Sequence, residues 1–329
     1  MLQTGSCWQK FAMAAARDDR CESWHHGRHC KAQPAIVYGI DFSGASDAGK
    51  KLLIARCDLQ RSSVGWTLTV VSIRAARNLP GGGLSPETAT AALRSELLEA
   101  AKSQAQVIVG VDSPPSVAKQ FIAETDWATW VAKFSRNYPT PTAFRKATSL
   151  LRSVHCKKSR VEPKRVTDVR HKTPLAPQNL RMYKQTWWAI TGVYFPLAQS
   201  GFCVAPCMPI GRRQKHFLME SCPASLLKRL DLYSKPYKGR DVKHGQRRRF
   251  IMKSLMKGIP VGGRSKAKLR VDFGVRTLTQ KLLTDASADS LDAVLAAVGA
   301  ACSVRRNNFP APEDGEMLDV YKLEACVYS

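Results

Sequence analysis

Two apolar runs that each end on an aspartate mark the start of the patterned part of the chain. "IVYGID" ends on Asp41 and "QVIVGVD" ends on Asp112. Between them lie two stretches with the composition of strands, at 51–58 and 66–74, and a segment at 85–103 whose capped, amphipathic pattern predicts a helix. Three strands, a helix and a buried strand predict a mixed α/β sheet, whose first strands are antiparallel and whose later strand is parallel.

Helical patterns dominate the rest of the chain, apart from a short strand, "HFLME", which ends on Glu220. The predicted helices cover residues 116–137, 143–154, 178–199, 224–230, 241–256, 276–283 and 288–301, and a last strand is predicted near 322–328. We therefore predict one domain over residues 35–329, built on a mixed β-sheet flanked by helices. A basic, mostly helical insertion is expected around residues 116–215.

The first 34 residues show neither the apolar spacing of a helix nor the alternation of a strand. We predict that they form a disordered or poorly structured extension. Their apolar stretch "FAMAAA" is too short for the core of a signal peptide. Because the sequence contains no run of about 18 apolar residues, we expect no membrane-spanning helix and no membrane partner. The expected location is the cytoplasm.

Acidic residues are scarce, and they fall at the ends of predicted elements. Asp41, Asp112 and Glu220 each end an apolar strand, and Asp289 and Asp292 stand three residues apart on an alanine-rich helix. That spacing puts both helical acids on one face. Small residues along the helix would let it lie close against the sheet, so that carboxylates from strand ends and helix converge.

Converging carboxylates raise one another's pKa unless a cation lies between them. Mg²⁺ takes carboxylate oxygens and leaves positions open for a phosphate, and Mn²⁺ accepts the same ligands. One or two such ions can activate water for phosphodiester cleavage. A simpler alternative applies to each acid: an aspartate after a strand often caps a turn or a helix. By that reading Asp292 is a surface acid and Glu220 pairs with an arginine.

The charge balance favours a polyanionic partner, most plausibly nucleic acid. The chain has 51 Lys and Arg against 26 Asp and Glu, a net charge of +25. Residues 145–184 contain 12 basic and 2 acidic side chains, and residues 211–276 contain 19 and 4. Clustering of this kind indicates a basic face for DNA or RNA, although a solvated basic surface would read the same way. No sequence feature identifies a protein partner.

Six motifs in order resemble a known family. They are "GIDFSGA", "VGVDSPP", "HCKKSR", "RVTDVRHKTPLAPQNLRMYKQTWWAI", "ESCPASLLKRL" with "PYKG", and "DSLDAVLAAVGA", spanning about residues 36–301. Together they resemble domain of unknown function family 429, whose members are predicted RNase H-like nucleases. The resemblance implies an RNase H-like core. By further similarity to Holliday-junction resolvases of that fold, it implies a metal site at Asp41, Asp112, Asp289 and Asp292. Glu220 matches a further family acid.

The same resemblance matches Arg165 and Asp168 to an R-x-x-D motif, and two interpretations of that pair stay open. In one, Arg165 contacts a substrate phosphate and Asp168 orients it; in the other, Asp168 forms an ion pair with Arg165 or Arg170. The other candidate substrate contacts are Ser43, His155, Lys157, Lys158 and Arg160.

These observations favour a metal-dependent nuclease in which Asp41, Asp112, Asp289 and Asp292 hold Mg²⁺ or Mn²⁺ and Glu220 assists. The first alternative is an ATP-dependent phosphotransferase, because "IDFSGAS" and "VGVDSPP" resemble the phosphate loops of actin- and sugar-kinase-like proteins. The second is a nucleic-acid-binding protein without catalysis, in which the run Arg247, Arg248 and Arg249 would contribute to binding. Charge alone cannot separate it from the nuclease.

Overall fold

A computed structural model describes residues 35–62, 65–155, 162–211, 213–261, 267–303 and 318–329. The extension predicted at residues 1–34 lies outside this range. The described strands are β1 (Ala35–Asp41), β2 (Leu53–Ser62), β3 (Gly65–Ala75), β4 (Gln106–Val111), β5 (Cys203–Val204), β6 (His216–Ser221), β7 (Ile259–Pro260), β8 (Lys268–Asp272) and β9 (Val327–Tyr328).

All of these strands belong to one sheet, in the order β5-β6-β4-β1-β2-β3-β8-β7, with β9 paired to β6. The strand β2 is antiparallel to both β1 and β3, whereas β1, β4 and β6 run parallel. The predicted α/β fold, a mixed sheet flanked by helices, is therefore confirmed. So is the expectation that antiparallel strands come first and a parallel strand follows.

The described helices are α1 (Ala48–Lys51), α2 (Pro86–Ala101), α3 (Trp127–Asn137), α4 (Pro141–His155), α5 (Val166–Arg170), α6 (Tyr183–Ala189), α7 (Phe195–Gln199), α8 (Pro223–Arg229), α9 (Val242–Lys257), α10 (Arg276–Thr284), α11 (Asp289–Ser303) and α12 (Tyr321–Glu324). Short 3₁₀ turns occur at Ala76–Asn78 and Lys119–Phe121, and a π-helical turn at Ile190–Tyr194 joins α6 to α7. In the described ranges no helix has the length and apolarity needed to cross a bilayer.

Each face of the sheet has its own hydrophobic core, because successive side chains of a strand point to opposite faces. On one face Val37 of β1 packs with residues of α8, α9, α10 and α11. On the other face Tyr38 and Ile40 pack with residues of α2, α3, α4, α6 and α7. The sheet is thus covered on both sides, which explains why its central strands are almost entirely apolar.

Several predicted elements are shorter in the structure than the sequence pattern suggested. The helix predicted at 116–137 begins only at Trp127, because the Asp126 side chain accepts a hydrogen bond from the Thr129 N–H at 2.8 Å and caps it there. The helix predicted at 178–199 is divided into α6, the π-helical turn and α7. The last predicted strand contains the short helix α12 before β9.

Helix α11 lies directly on the two central parallel strands, because each strand has a glycine at the contact. Gly39 of β1 and Gly110 of β4 are partners in register. A Cβ atom on Gly39 would lie 2.0 Å from the Ala293 carbonyl oxygen, and one on Gly110 would lie 2.3 Å from that of Ala296. Both contacts are with helix backbone, which cannot move aside without shifting α11. The predicted close approach of this small-residue helix is confirmed.

Replacing Gly39 by alanine should therefore destabilise the protein by about 2–3 kcal/mol, because the new methyl group forces α11 away from the sheet. Equilibrium unfolding in urea measures this change. Gly211→Ala is the matched control, since a Cβ there meets no atom of the described residues within 4 Å. Equal midpoints for the two variants would show that the helix can shift at little cost.

Candidate functional site

Two aspartates meet at one edge of the sheet because their strands are parallel neighbours. Asp41 is the last residue of β1, and Asp112 directly follows β4. The backbone N–H of Asp112 donates to the Ile40 carbonyl at 2.8 Å, which continues the pairing past the end of β4. Each acid stands two residues after the glycine that contacts α11, so the alternation of side chains directs both toward the α11 face.

The third acid, Asp292, comes from the first turn of α11. Asp285 fixes where this helix begins, because its carboxylate accepts a hydrogen bond from the Ser290 N–H at 2.9 Å. Asp292 is only 3% exposed, so the reading that made it a surface acid is wrong. Asp289 is half-buried, with its side chain 31% exposed. It stands at the margin of the site.

Both carboxylate oxygens of Asp292 already have a partner. The Tyr237 hydroxyl donates to Oδ1 at 2.7 Å, and the Lys238 ammonium lies 2.6 Å from Oδ2. The same ammonium lies 3.8 Å from Oδ1 of Asp289. A lysine from the loop between α8 and α9 therefore supplies positive charge to both acids of α11.

The strand-end acids lack such compensation. Burial raises the pKa of Asp41, and the negative charges of Asp292, Asp112 and Asp289 raise it further. Burial and Asp292 likewise raise the pKa of Asp112 well above its ordinary value. Within the described residues, neither carboxylate has a hydrogen-bond or ion-pair partner. A carboxylate in that situation favours a proton or an added cation.

Asp41, Asp112 and Asp292 line one cleft of about 490 Å³. That volume is in the usual range for small-molecule pockets, about 300–1,000 Å³. Ser113 also lines the cleft, with the residue 2% exposed and its hydroxyl without a partner in the described part of the chain. The Tyr194 hydroxyl, from the π-helical turn, holds Ser113 by donating to its carbonyl at 2.8 Å. Other lining residues include Phe42, Leu175, Arg181, Met182 and Tyr233.

The guanidinium of Arg165 lines the same cleft, but the protein itself uses all of its N–H groups. Nε and Nη2 donate to Asp168 at 3.0 and 2.7 Å, and Nη1 and Nη2 donate to Glu220 at 2.7 Å each. The remaining Nη1 hydrogen donates to the Glu324 carbonyl at 3.2 Å. No donor of Arg165 is left for a phosphate in this arrangement. Of the two interpretations of Asp168, the structure contains the ion pair with Arg165.

Glu220 is separated from the other acids by the geometry of its strand. It lies opposite Val111 in the parallel pairing of β4 and β6, and Val111 belongs to the core on the α2 face. Its side chain therefore leaves the sheet on the face opposite to that of Asp112. Because both of its oxygens accept from Arg165, Glu220 forms an internal ion pair instead of joining the acids around α11.

The remaining sequence candidates belong to the turn after β1, to the end of α4 or to the ranges outside the described residues. The Ser43 hydroxyl accepts a hydrogen bond from the Ala45 N–H at 3.3 Å, in the turn that follows β1. His155 is the last residue of α4. Lys157, Lys158 and Arg160 lie outside the described ranges.

Sequence reasoning assigned no role to Lys238, Tyr237 or Ser113. Lys238 is one of 51 basic residues, and it stands 54 positions before the acid that it contacts. The "PYKG" segment around it contributed to the family resemblance, which implied no function for the lysine. Ser113 directly follows Asp112, but a serine after a strand is usually part of a turn.

The donor set suits a hard divalent cation, although the carboxylates are not arranged around one. Within the described residues, no three His, Cys, Asp or Glu side chains are grouped so that they could hold a metal ion. The ligands that Mg²⁺ and Mn²⁺ prefer are nonetheless present in Asp41, Asp112 and Asp292, all lining one cleft. The Lys238 ammonium lies against Asp292 as a cation would. The residues thus match the predicted metal in donor chemistry, and in the structure the Lys238 ammonium is the cation that contacts Asp292.

Comparisons of the chain with protein-family models, with curated proteins and with solved structures found no match.

Asp41→Asn should stabilise the metal-free protein at neutral pH, because it removes a carboxylate whose pKa is raised by burial and by neighbouring acids. A raised pKa in the folded state means that stability falls as pH rises above about 4, the ordinary aspartate value. The extra stability of the variant should therefore disappear below about pH 4, where Asp41 of the wild type is protonated in both the folded and the unfolded state. We expect the midpoint of thermal unfolding in EDTA to rise by about 2–4 °C at neutral pH.

Asp292→Asn should raise the midpoint less than Asp41→Asn does, because burial also raises the pKa of Asp292 but the substitution weakens its contacts with Tyr237 and Lys238. Asp58→Asn is the control, because that side chain is exposed on β2 and pairs only with Arg56 among the described ion pairs. A lower midpoint for Asp41→Asn in EDTA would contradict the repulsion between the acids.

Proposed function

We propose that the protein hydrolyses phosphodiester bonds of nucleic acid with the help of Mg²⁺ or Mn²⁺. The observation that carries the proposal is the cleft lined by Asp41, Asp112 and Asp292, two of which have no partner among the described residues. An acidic cleft in a chain with a net charge of +25 suits a polyanionic substrate whose phosphate is approached through a metal ion. The resemblance to predicted RNase H-like nucleases supports the same function.

In this proposal each residue has a defined task. Asp41 and Asp112 hold the cation from the strand ends, and Asp292 holds it from α11, with Asp289 at the margin. The bound metal supplies a polarised water and neutralises charge on the phosphate. Ser113 offers a hydroxyl donor in the cleft. Arg165, Asp168 and Glu220 keep the opposite wall of the cleft in place, because Arg165 donates hydrogen bonds to both carboxylates.

The proposed substrate surface includes the exposed side of α9, which follows the loop that carries Lys238. Arg249, Lys253 and Lys257 are exposed there, and the guanidinium of Arg247 lies 4.7 Å from the centre of the half-exposed Phe250 ring. An aromatic ring beside basic side chains suits single-stranded nucleic acid.

Arg248, the middle residue of the basic run at 247–249, does not belong to this surface. It is 3% exposed, and it donates to the carbonyls of Leu283 and Tyr237 at 3.0 and 2.6 Å. The sequence alone suggested all three arginines as contacts for nucleic acid. In the structure Arg248 joins α9 to the loop that carries Lys238.

A nucleic-acid-binding protein without catalysis is the second candidate, and one observation favours it. The Lys238 ammonium in contact with Asp292 satisfies one of the three acids without any metal. If that arrangement is permanent, the acids have a structural role and only the basic surface acts on nucleic acid.

The deciding assay follows cleavage of labelled single-stranded, duplex and branched DNA and of RNA, in Mg²⁺, Mn²⁺ or EDTA. Asp41→Asn and Asp292→Asn should each reduce metal-dependent cleavage by at least about a hundredfold while binding persists, because each loses a metal ligand. Asp58→Asn should cleave as the wild type does.

The outcomes separate the two candidates. Binding without cleavage in every metal would support the non-catalytic protein. Equal cleavage by the wild type and both site variants would show that the activity lies elsewhere or belongs to a contaminant.

Replacing Arg249 and Lys253 together by alanine should weaken binding of every nucleic acid to a similar degree. Each lost phosphate contact should lower the slope of log Kd against log salt concentration by about 1. Fluorescence anisotropy of a labelled single strand, repeated over a series of salt concentrations, measures this slope. The control is Lys102→Ala, whose ammonium pairs with Glu99 on α2. An unchanged slope in the double variant would exclude this side of α9.

A further inference from the structure

The position of Lys238 raises a question that the nuclease proposal leaves open. Its ammonium lies 2.6 Å from Asp292 and 3.8 Å from Asp289, and it also attracts Asp41 and Asp112 electrostatically. It is thus the positive charge around which the acids are arranged in the structure. A divalent cation held by Asp292 would need the same space and the same carboxylate oxygens.

The backbone that carries Lys238 is firmly anchored. Arg248 donates to the carbonyls on both sides of it, to Tyr237 at 2.6 Å and to Gly239 at 3.2 Å. The Gly239 N–H donates to the Ala286 carbonyl at 2.7 Å, in the turn before α11. The loop is therefore tied to α9 and to the beginning of the acid-bearing helix, and the lysine is presented to Asp292 by construction.

The side chain of Lys238, by contrast, can leave without disturbing this backbone. It is 52% exposed, whereas the Asp292 side chain that it contacts is 4% exposed. A lysine side chain is flexible and strongly hydrated, so an exposed one can exchange a carboxylate for water or for another anion. The contact with Asp292 is accordingly a replaceable part of an otherwise fixed arrangement.

A second observation indicates that the cleft is built for a ligand beyond the lysine. Ser113, the residue after Asp112, lines the cleft, and its buried hydroxyl has no hydrogen-bond partner in the described ranges. A buried hydroxyl without a partner is costly. The Lys238 ammonium makes no hydrogen bond to this hydroxyl, so it does not relieve that cost.

We propose that Lys238 and a divalent cation exchange at Asp292, so that the lysine holds the acids together until the metal replaces it. This rests on the proposed function only in naming the metal as the ligand of the acids. Ammonium and dication repel each other at the same carboxylate, so each lowers the affinity of the site for the other. In the structure the group that contacts Asp292 is the Lys238 ammonium, at 2.6 Å.

The test is to titrate the metal-free protein with Mn²⁺ at neutral pH and to measure binding by isothermal titration calorimetry. Lys238→Met should bind Mn²⁺ at least about tenfold more tightly than the wild type, because the competing charge is gone. Lys238→Arg keeps the charge and should bind no more tightly than the wild type. Lys228→Met is the matched control, since Lys228 lies over the Tyr233 ring and donates to the Lys172 carbonyl.

Thermal unfolding provides a second readout and shows whether each variant folds. Without metal, Lys238→Met should melt below the wild type, because Asp292 and Asp289 lose their positive neighbour. Added Mn²⁺ should raise its midpoint more than that of the wild type. Lys238→Gln, which keeps a polar side chain of similar length, should behave in the same direction and replaces the methionine variant if that one fails to fold.

Equal or weaker Mn²⁺ binding by Lys238→Met, with measurable binding by the wild type, would overturn the exchange and leave the nuclease proposal standing. Tighter binding by the variant in a protein that cleaves no nucleic acid would support the exchange and remove the nuclease function. No Mn²⁺ binding by either protein would overturn both.

Discussion

The contact between α11 and the glycines of β1 and β4 is the constraint on which the site depends. Without a Cβ at Gly39 and Gly110, the helix backbone lies against the strands themselves. This closeness brings Asp292 to the edge where Asp41 and Asp112 end their strands. The packing that stabilises the centre of the sheet therefore also forces three carboxylates together. Their repulsion follows directly from how the core is built.

The protein deals with buried charge in two different ways at this one edge of the sheet. On the α2 face, Arg165 gives all of its donors to Asp168, Glu220 and one carbonyl, so that group is complete in itself. On the α11 face, Asp289 and Asp292 share the Lys238 ammonium, whereas the carboxylates of Asp41 and Asp112 have no hydrogen-bond or ion-pair partner among the described residues. A saturated ion pair stabilises a wall, whereas an unsatisfied one attracts a ligand. The two faces therefore have different roles although both line one cleft.

The sequence predicted the parts of this arrangement that depend on short-range pattern. Apolar runs ending on Asp41 and Asp112 identified the strand ends, and the small residues of α11 predicted its close packing. Glu220 could not be placed, because its face depends on the register between β6 and β4, which no local pattern specifies. Lys238 was missed and Arg248 was misassigned, because the sequence does not show which basic residue contacts an acid and which one is buried. The strand β8 was not predicted, although Leu269 and Val271 alternate with charged residues as in a strand. The pattern is only five residues long.

The glycine contacts also restrict which changes in sequence this edge of the sheet can accept. In each strand the glycine and the aspartate are separated by one residue, as Gly39-Ile40-Asp41 and Gly110-Val111-Asp112. An insertion or deletion between them would turn the acid to the opposite face of the sheet. Each tripeptide therefore acts as one structural unit. The glycine lets α11 approach the strand, and the spacing of two residues keeps the aspartate on the same face as the helix. A side chain in place of either glycine would push α11 away from the sheet and so move Asp292 away from the strand-end acids.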